Sequence, residues 1–220
     1  MPVNSPSNDE PEFPARARII SDEGFHGKNA WYYDKLLYLH RKKKPLPGVP
    51  WVEPKGIKVE LFEADLRKLM AAGKKRGKTN RAHKVRDRLY TRTPAAQIEY
   101  EALKAELSVA RHFQLDEERI YDSKPGGFDH DLIYKDGRTI EVKTCESRGG
   151  NLALPAWKGL QLDADLYFLV WPTEWAAVME IVGWLTKAAV EEKGGFKKLY
   201  RGKQWFVPFG KMRHPDELSV

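Results

Sequence analysis

The sequence predicts an α/β protein in which a mixed β-sheet is flanked by helices and preceded by a basic helical extension. Three observations lead there. Residues 97–113 carry apolar side chains at helical spacing. Residues 128–143 read as two strands joined at Asp136-Gly137. Residues 164–171 then form a continuous apolar run closed by Pro172, the pattern of a strand buried on both faces. Helix, hairpin and strands in that order suit a sheet with helices against it.

In chain order, residues 1–15 are rich in proline, serine and acidic side chains and read as a disordered tail. Residues 30–40 predict a short helix, followed by the basic run Arg41-Lys42-Lys43-Lys44 and a proline-rich link over 45–54. Residues 59–72 predict a helix or a strand-helix unit through Leu61, Phe62, Leu66, Leu69 and Met70. A dense basic segment comes next, with Lys74, Lys75, Arg76, Lys78, Arg81, Lys84, Arg86, Arg88 and Arg92 against one acid, Asp87. Within it, residues 73–79 imitate a phosphate-binding loop, but three residues separate the glycines where that loop requires four. The segment therefore reads as an electrostatic arm that neutralises backbone phosphates without reading sequence.

Thr93-Pro94 predicts a helix start with proline at the first helical position. Leu103, Leu107, Ala110 and Phe113 form the apolar stripe of that helix, flanked by Ala102 and Val109. Glu106 and Glu99 fall inside the stripe, while Glu101, Lys104 and Arg111 are expected to point outward. A carboxylate on the core side of a helix is costly unless something compensates it.

The hairpin carries Asp131 on its first strand and Glu141 and Lys143 on its second. Side chains alternate faces, so Glu141 and Lys143 share one face and Ile140 and Val142 the other. A two-residue turn would pair Asp131 with Val142, on the wrong face. A three-residue turn with Gly137 in the left-handed region pairs Leu132 with Ile140 on the apolar side, and burial selects that register. Two carboxylates and an ammonium so arranged can hold a hard metal ion beside a phosphate. Beyond the hairpin, residues 148–150 predict a turn, 151–155 a short strand or edge, 177–184 a strand and 185–193 a helix closed by Gly194-Gly195. Residues 204–209 predict a last aromatic strand.

Composition narrows the function class. The chain has 220 residues, a formal net charge of +7 and 31% charged residues, so a polyanionic partner is favoured over an apolar one. No apolar run is long enough for a membrane span and no signal peptide is read, which predicts a soluble, cytoplasmic protein with no membrane partner. The single cysteine, Cys145, excludes an internal disulfide framework and a cysteine-based zinc finger, and its place after Lys143 predicts a small packing residue. The six histidines show no zinc-ligand spacing, and no nucleophile elbow or dinucleotide fingerprint is present.

Asp131 followed by Glu141-Val142-Lys143 resembles the PD-(D/E)xK nuclease superfamily, the restriction-endonuclease-like fold. The proline of that motif is absent, His130 standing in its place. The run Ala105-Glu106-Leu107-Ser108-Val109-Ala110 is similar to the acidic pattern of the family's first core helix, with Ala105 replacing glycine. The likeness spans roughly Thr93 to Pro172. Residues 165–170 and 181–187 also look like small nuclease-like proteins common in phage genomes, which for a phage-encoded chain means the host cytoplasm.

The resemblance implies a magnesium-dependent DNA endonuclease. Asp131 and Glu141 would bind Mg²⁺, or Mn²⁺, with Glu106 acting directly or through water and the Val142 carbonyl completing the set. Asp129, of the same parity as Asp131, is an alternative ligand. Lys143 would orient or activate the attacking water, and the product would carry a 5′-phosphate. Lys74, Lys75, Arg76, Lys78, Arg81, Lys84, Arg86 and Arg88 would hold DNA, favoured over RNA. An exonuclease or a Holliday-junction or branch-cleaving enzyme on the same fold is the alternative, the latter as a homodimer. A non-catalytic nucleic-acid-binding module is a third. Residues 1–92 are expected to form the tail and basic nucleic-acid-binding region, and residues 93–220 the nuclease-like domain.

Overall fold

A computed structural model describes residues 56–83, 95–122, 130–145, 148–155, 162–199 and 202–218. The expected tail, the helix over 30–40, the Thr93-Pro94 helix start, Asp129, Lys84, Arg86 and Arg88 lie outside these residues. The described chain runs β1 (Ile57–Glu60), α1 (Glu63–Ala82), α2 (Ala95–Phe113), α3 (Glu118–Tyr121), β2 (Leu132–Ile133), β3 (Thr139–Thr144) and β4 (Leu152–Pro155). It continues with β5 (Leu166–Pro172), β6 (Val178–Thr186), α4 (Lys187–Lys193), β7 (Gly195–Leu199) and β8 (Gly202–Val207).

Five strands form a mixed sheet in the order β1-β6-β5-β3-β2, and β4-β8-β7 form a second, antiparallel sheet. Only the β3–β5 pair is parallel among the described strands. β5 is central, and its alternating side chains enter two different cores. Leu166, Phe168 and Val170 pack with α1 and α2. Tyr167, Leu169 and Trp171 pack with the second sheet and α4. Both faces are covered, which is why this strand reads as an unbroken apolar run. β7 was not expected from the sequence, where Gly194-Gly195 reads only as a helix stop; it exists because β8 offers an edge to pair with.

The hairpin takes the expected register. Leu132 pairs with Ile140 and Ile133 with Thr139, and the Tyr134 N–H donates to the Arg138 carbonyl at 2.8 Å, leaving Lys135-Asp136-Gly137 as the loop. Gly137 adopts φ +89°, a conformation glycine enters without a Cβ penalty. Ile140 and Val142 are buried, while Glu141 and Lys143 lie on the opposite, half-buried face.

Two helices set the first core layer. Asp65 reaches back from the first turn of α1 to accept the Phe62 N–H at 2.8 Å, one half of a capping box. α2 ends with Gln114 at φ +55° and the Leu115 N–H bonded to the Ala110 carbonyl at 2.8 Å, a left-handed helix stop. Between these ends α2 is sandwiched by α1 and the sheet, and residues 103–110 are all buried. This corrects the outward placement of Lys104. Its side chain is buried, with Nζ donating to the Ala176 carbonyl at 3.1 Å and pairing with Glu101 at 2.8 Å.

The imitation phosphate loop at 73–79 is continuous helix, its Gly73 and Gly77 buried. β1 and α1 precede the expected division at residues 92 and 93. Even so, β1 hydrogen-bonds to β6, and Leu61, Leu66, Leu69 and Ala72 belong to the same core as α2 and the central sheet. The basic segment as far as Ala82 is thus built into this fold rather than appended to it. Among the described residues no helix is long and apolar enough to cross a membrane.

Candidate functional site

The short β2 ends beside the middle of β3, and Asp131 occupies the gap. Its backbone N–H donates to the Ile140 carbonyl at 2.9 Å, and its Oδ2 accepts the Val142 N–H at 2.7 Å. The carboxylate thereby replaces the carbonyl that a longer β2 would have supplied. The N–H and C=O of one strand residue point to the same edge, so the Val142 carbonyl is turned toward Asp131 as well. On the half-buried face of β3, Glu141 and Lys143 form an ion pair.

Glu106 approaches from α2 and is 5% exposed. Its partner comes from an unexpected direction. Arg76, grouped in the sequence with the phosphate-facing cations, is turned inward from α1, its side chain 13% exposed. Its Nη1 lies 3.4 Å from Glu106 and 3.8 Å from Glu99, and its Nη2 donates to the Ile120 carbonyl of α3 at 3.3 Å. The sequence hides this role because Arg76 stands among seven neighbouring cations; its helical phase relative to Leu66 and Leu69 was the available signal.

Electrostatics tie these groups together. Burial and the nearby Glu141 charge push Asp131 up from its ordinary 3.8 to about 6, against the opposing pull of Lys143 and the Val142 N–H. Burial, then the Asp131 charge, raises Glu106 well above the usual carboxylate range, with Arg76 only partly offsetting the rise. Burial disfavours the Lys143 ammonium, but Glu141, Asp131 and Glu106 outweigh it and hold its proton more tightly than usual. Asp131 is the shared electrostatic neighbour, feeling the Glu141 charge and acting on Glu106. Burial is the larger cause for both acids and their neighbours' negative charge adds to it, so an added positive charge would favour their ionised forms.

A divalent cation would supply that charge. Counting Glu99, Glu106, Asp131 and Glu141 against Arg76 and Lys143 leaves two negative charges when all are ionised. The donors are hard carboxylate oxygens, the type that suits Mg²⁺ or Mn²⁺. Among the described residues no three His, Cys, Asp or Glu side chains stand ready as a preformed cage. Each carboxylate is already engaged, Glu141 by Lys143, Asp131 by the Val142 N–H and Glu106 by Arg76. The oxygens fit such an ion by charge and type, and reaching it requires Arg76 or Lys143 to yield.

The remaining predicted residues divide. Lys75 and Lys78 are exposed on α1 and Lys74 is half-buried. Arg81 falls in the last turn of the same helix. His130, which stands in the place of the motif's proline, sits with Nε2 2.5 Å from Arg119 Nη1. Cys145 is half-buried against the second core.

Comparison with known proteins adds a family and no activity. Residues 52–196, about two thirds of the chain, match the model of a family of unknown function, DUF5843. No curated protein and no solved structure matches the chain.

Proposed function

The chain belongs to this family of unknown function, DUF5843, and we propose that within it the protein is a metal-dependent nuclease with a restriction-endonuclease-like core, hydrolysing phosphodiester bonds in DNA. What supports this reading is the placement of Asp131 on the β3 edge, held by the Val142 N–H at 2.7 Å, beside the Glu141–Lys143 ion pair, with the buried Glu106 of α2 near enough to be felt electrostatically. The mixed five-stranded sheet with α2 against one face supports it, as does the helix-hairpin-strand order.

Asp131, Glu141 and Glu106 would hold Mg²⁺, with the Val142 carbonyl turned to the same place. When bound, such an ion polarises the scissile phosphate and lowers the pKa of a bound water. The chain's own residues supply the rest. Lys143 holds its proton tightly, so it acts as an ammonium rather than as a base: it aligns the attacking water and offsets charge building on the phosphate. Asp131 is fixed by the Val142 N–H and cannot swing out of line. The exposed Lys75 and Lys78 on α1 offer backbone phosphates a sequence-independent grip.

The test is incubation with supercoiled, linear, branched and single-stranded DNA, in Mg²⁺ or EDTA. Mg²⁺-dependent nicking of closed circles is expected. Lys143→Ala and Glu141→Ala should each lower turnover by about 10²-fold or more while DNA binding persists. DNA binding without turnover under any divalent metal would instead identify a non-catalytic binding module. Cleavage confined to ends or branches would identify an exonuclease or a junction enzyme.

A further inference from the structure

Arg76 stands where three helices meet. It rises from α1, faces Glu106 and Glu99 on α2, and is anchored to the Ile120 carbonyl on α3. The separations, 3.4 Å to Glu106 and 3.8 Å to Glu99, are those of a guanidinium shared between two acids, not of a tight bidentate fork on one. The two acids are seven residues apart, close to two helical turns, and therefore lie in line on one face of α2. The guanidinium can exchange Glu106 for Glu99 by a small shift, without leaving Ile120.

We propose that Arg76 is an internal counter-ion that competes with a divalent cation for Glu106 and moves onto Glu99 when the cation binds. The inference rests on the metal-site reading above and adds a means of regulation to it. A buried carboxylate without a cation is costly. Arg76 supplies that cation in the metal-free protein, keeping Glu106 in place and the helices joined. Its charge also opposes a metal ion at the same oxygens, so the strength of the Arg76–Glu106 contact sets the apparent metal affinity. Glu99 gives the displaced guanidinium a partner, so no charge is stranded when the ion arrives.

Mn²⁺ is the probe, titrated calorimetrically into the full chain, with thermal melts in EDTA and in Mn²⁺. Arg76→Met is expected to melt earlier in EDTA, to bind Mn²⁺ roughly tenfold tighter for want of a competing charge, and to gain more from Mn²⁺ on melting. Glu99→Gln should weaken Mn²⁺ binding in the wild-type background and weaken it several-fold less in the Arg76→Met background, where only its direct charge remains to act. Should Arg76→Met not fold, Arg76→Lys carries the same comparison with a smaller gain, since lysine cannot fork between carboxylate and carbonyl. Equal or weaker Mn²⁺ affinity in the Arg76 variant, or a Glu99 effect undiminished without the arginine, would overturn the proposal and leave the metal site standing. A wild-type chain that takes up no Mn²⁺ would sink the metal-site reading and this inference together.

Discussion

Asp131 does two things with one carboxylate: it completes the β3 edge through Val142 and, buried, it interacts electrostatically with two other acids. The second role sets a pH dependence. Its value in the folded protein, about 6, lies above the ordinary 3.8, so the folded state binds the proton more tightly than the unfolded one. That contribution to stability is complete below about pH 4 and is lost as the pH rises through 6. Asp131→Asn keeps an oxygen for the Val142 N–H and removes the charge. The metal-free variant should be more stable than wild type at pH 8 by about 1–3 kcal/mol. Its stability should also change less between pH 4 and 7, as read by urea titration in EDTA, and Mn²⁺ should no longer raise its melting temperature. Parallel pH profiles for the two proteins would refute the raised proton affinity that burial and its acidic neighbours give Asp131. Asp65 is the opposite case. Bidentate pairing with Arg111 at 2.5 and 2.7 Å, helped by the Phe62 N–H, depresses it, so its contribution is present above the ordinary value and lost below it.

At the scale of elements, β6 carries the most connections. It pairs with β5 along most of its length and with β1 over residues 178–181, and receives the C-terminal segment at Trp184, which bridges to Arg213. Trp184 Nε1 also donates to the His214 carbonyl at 3.0 Å, and the Arg213 guanidinium lies 5.2 Å from the Trp184 ring centre. This strap passes so close to Gly183 that a Cβ there would stand 2.4 Å from the Arg213 carbonyl oxygen. Gly183→Ala must push backbone away from backbone, and a loss of about 2–3 kcal/mol is expected in urea unfolding. Release of the C-terminal segment should appear as faster amide exchange at Trp184 and Arg213. An unchanged unfolding midpoint would show that the strap is not held this closely.

At the scale of the whole molecule, β1 and α1 share one sheet and one first core with the described residues from 95 onward. A chain beginning at residue 93 would lose β1, the edge partner of β6, and α1, which brings Leu66, Leu69 and Ala72 against α2. It would strand Arg111 without Asp65 and Glu106 without Arg76. Such a chain is expected to lack a cooperative thermal transition, measured by circular dichroism. A sharp melt near that of the full chain would support residue 93 as a domain boundary. The same integration gives the basic segment a double character: Lys75 and Lys78 face outward, whereas Arg76 faces the acids.

The sequence alone determined what depends on local periodicity and turn chemistry. Alternation over 139–144, glycine at the left-handed turn position and the two-faced apolar run of β5 set register and faces, because each is a property of neighbouring residues in one element. It also pointed to Glu106, whose place in an apolar stripe is visible from helical phase. Only the tertiary structure decided which charges meet. Arg76 and Glu106 are thirty residues apart in the chain, and Lys104 finds its acceptor at Ala176; neither pairing leaves a mark in local pattern. Likewise β1 and β7 are strands because β6 and β8 present open edges, and an edge exists only once the sheet has formed.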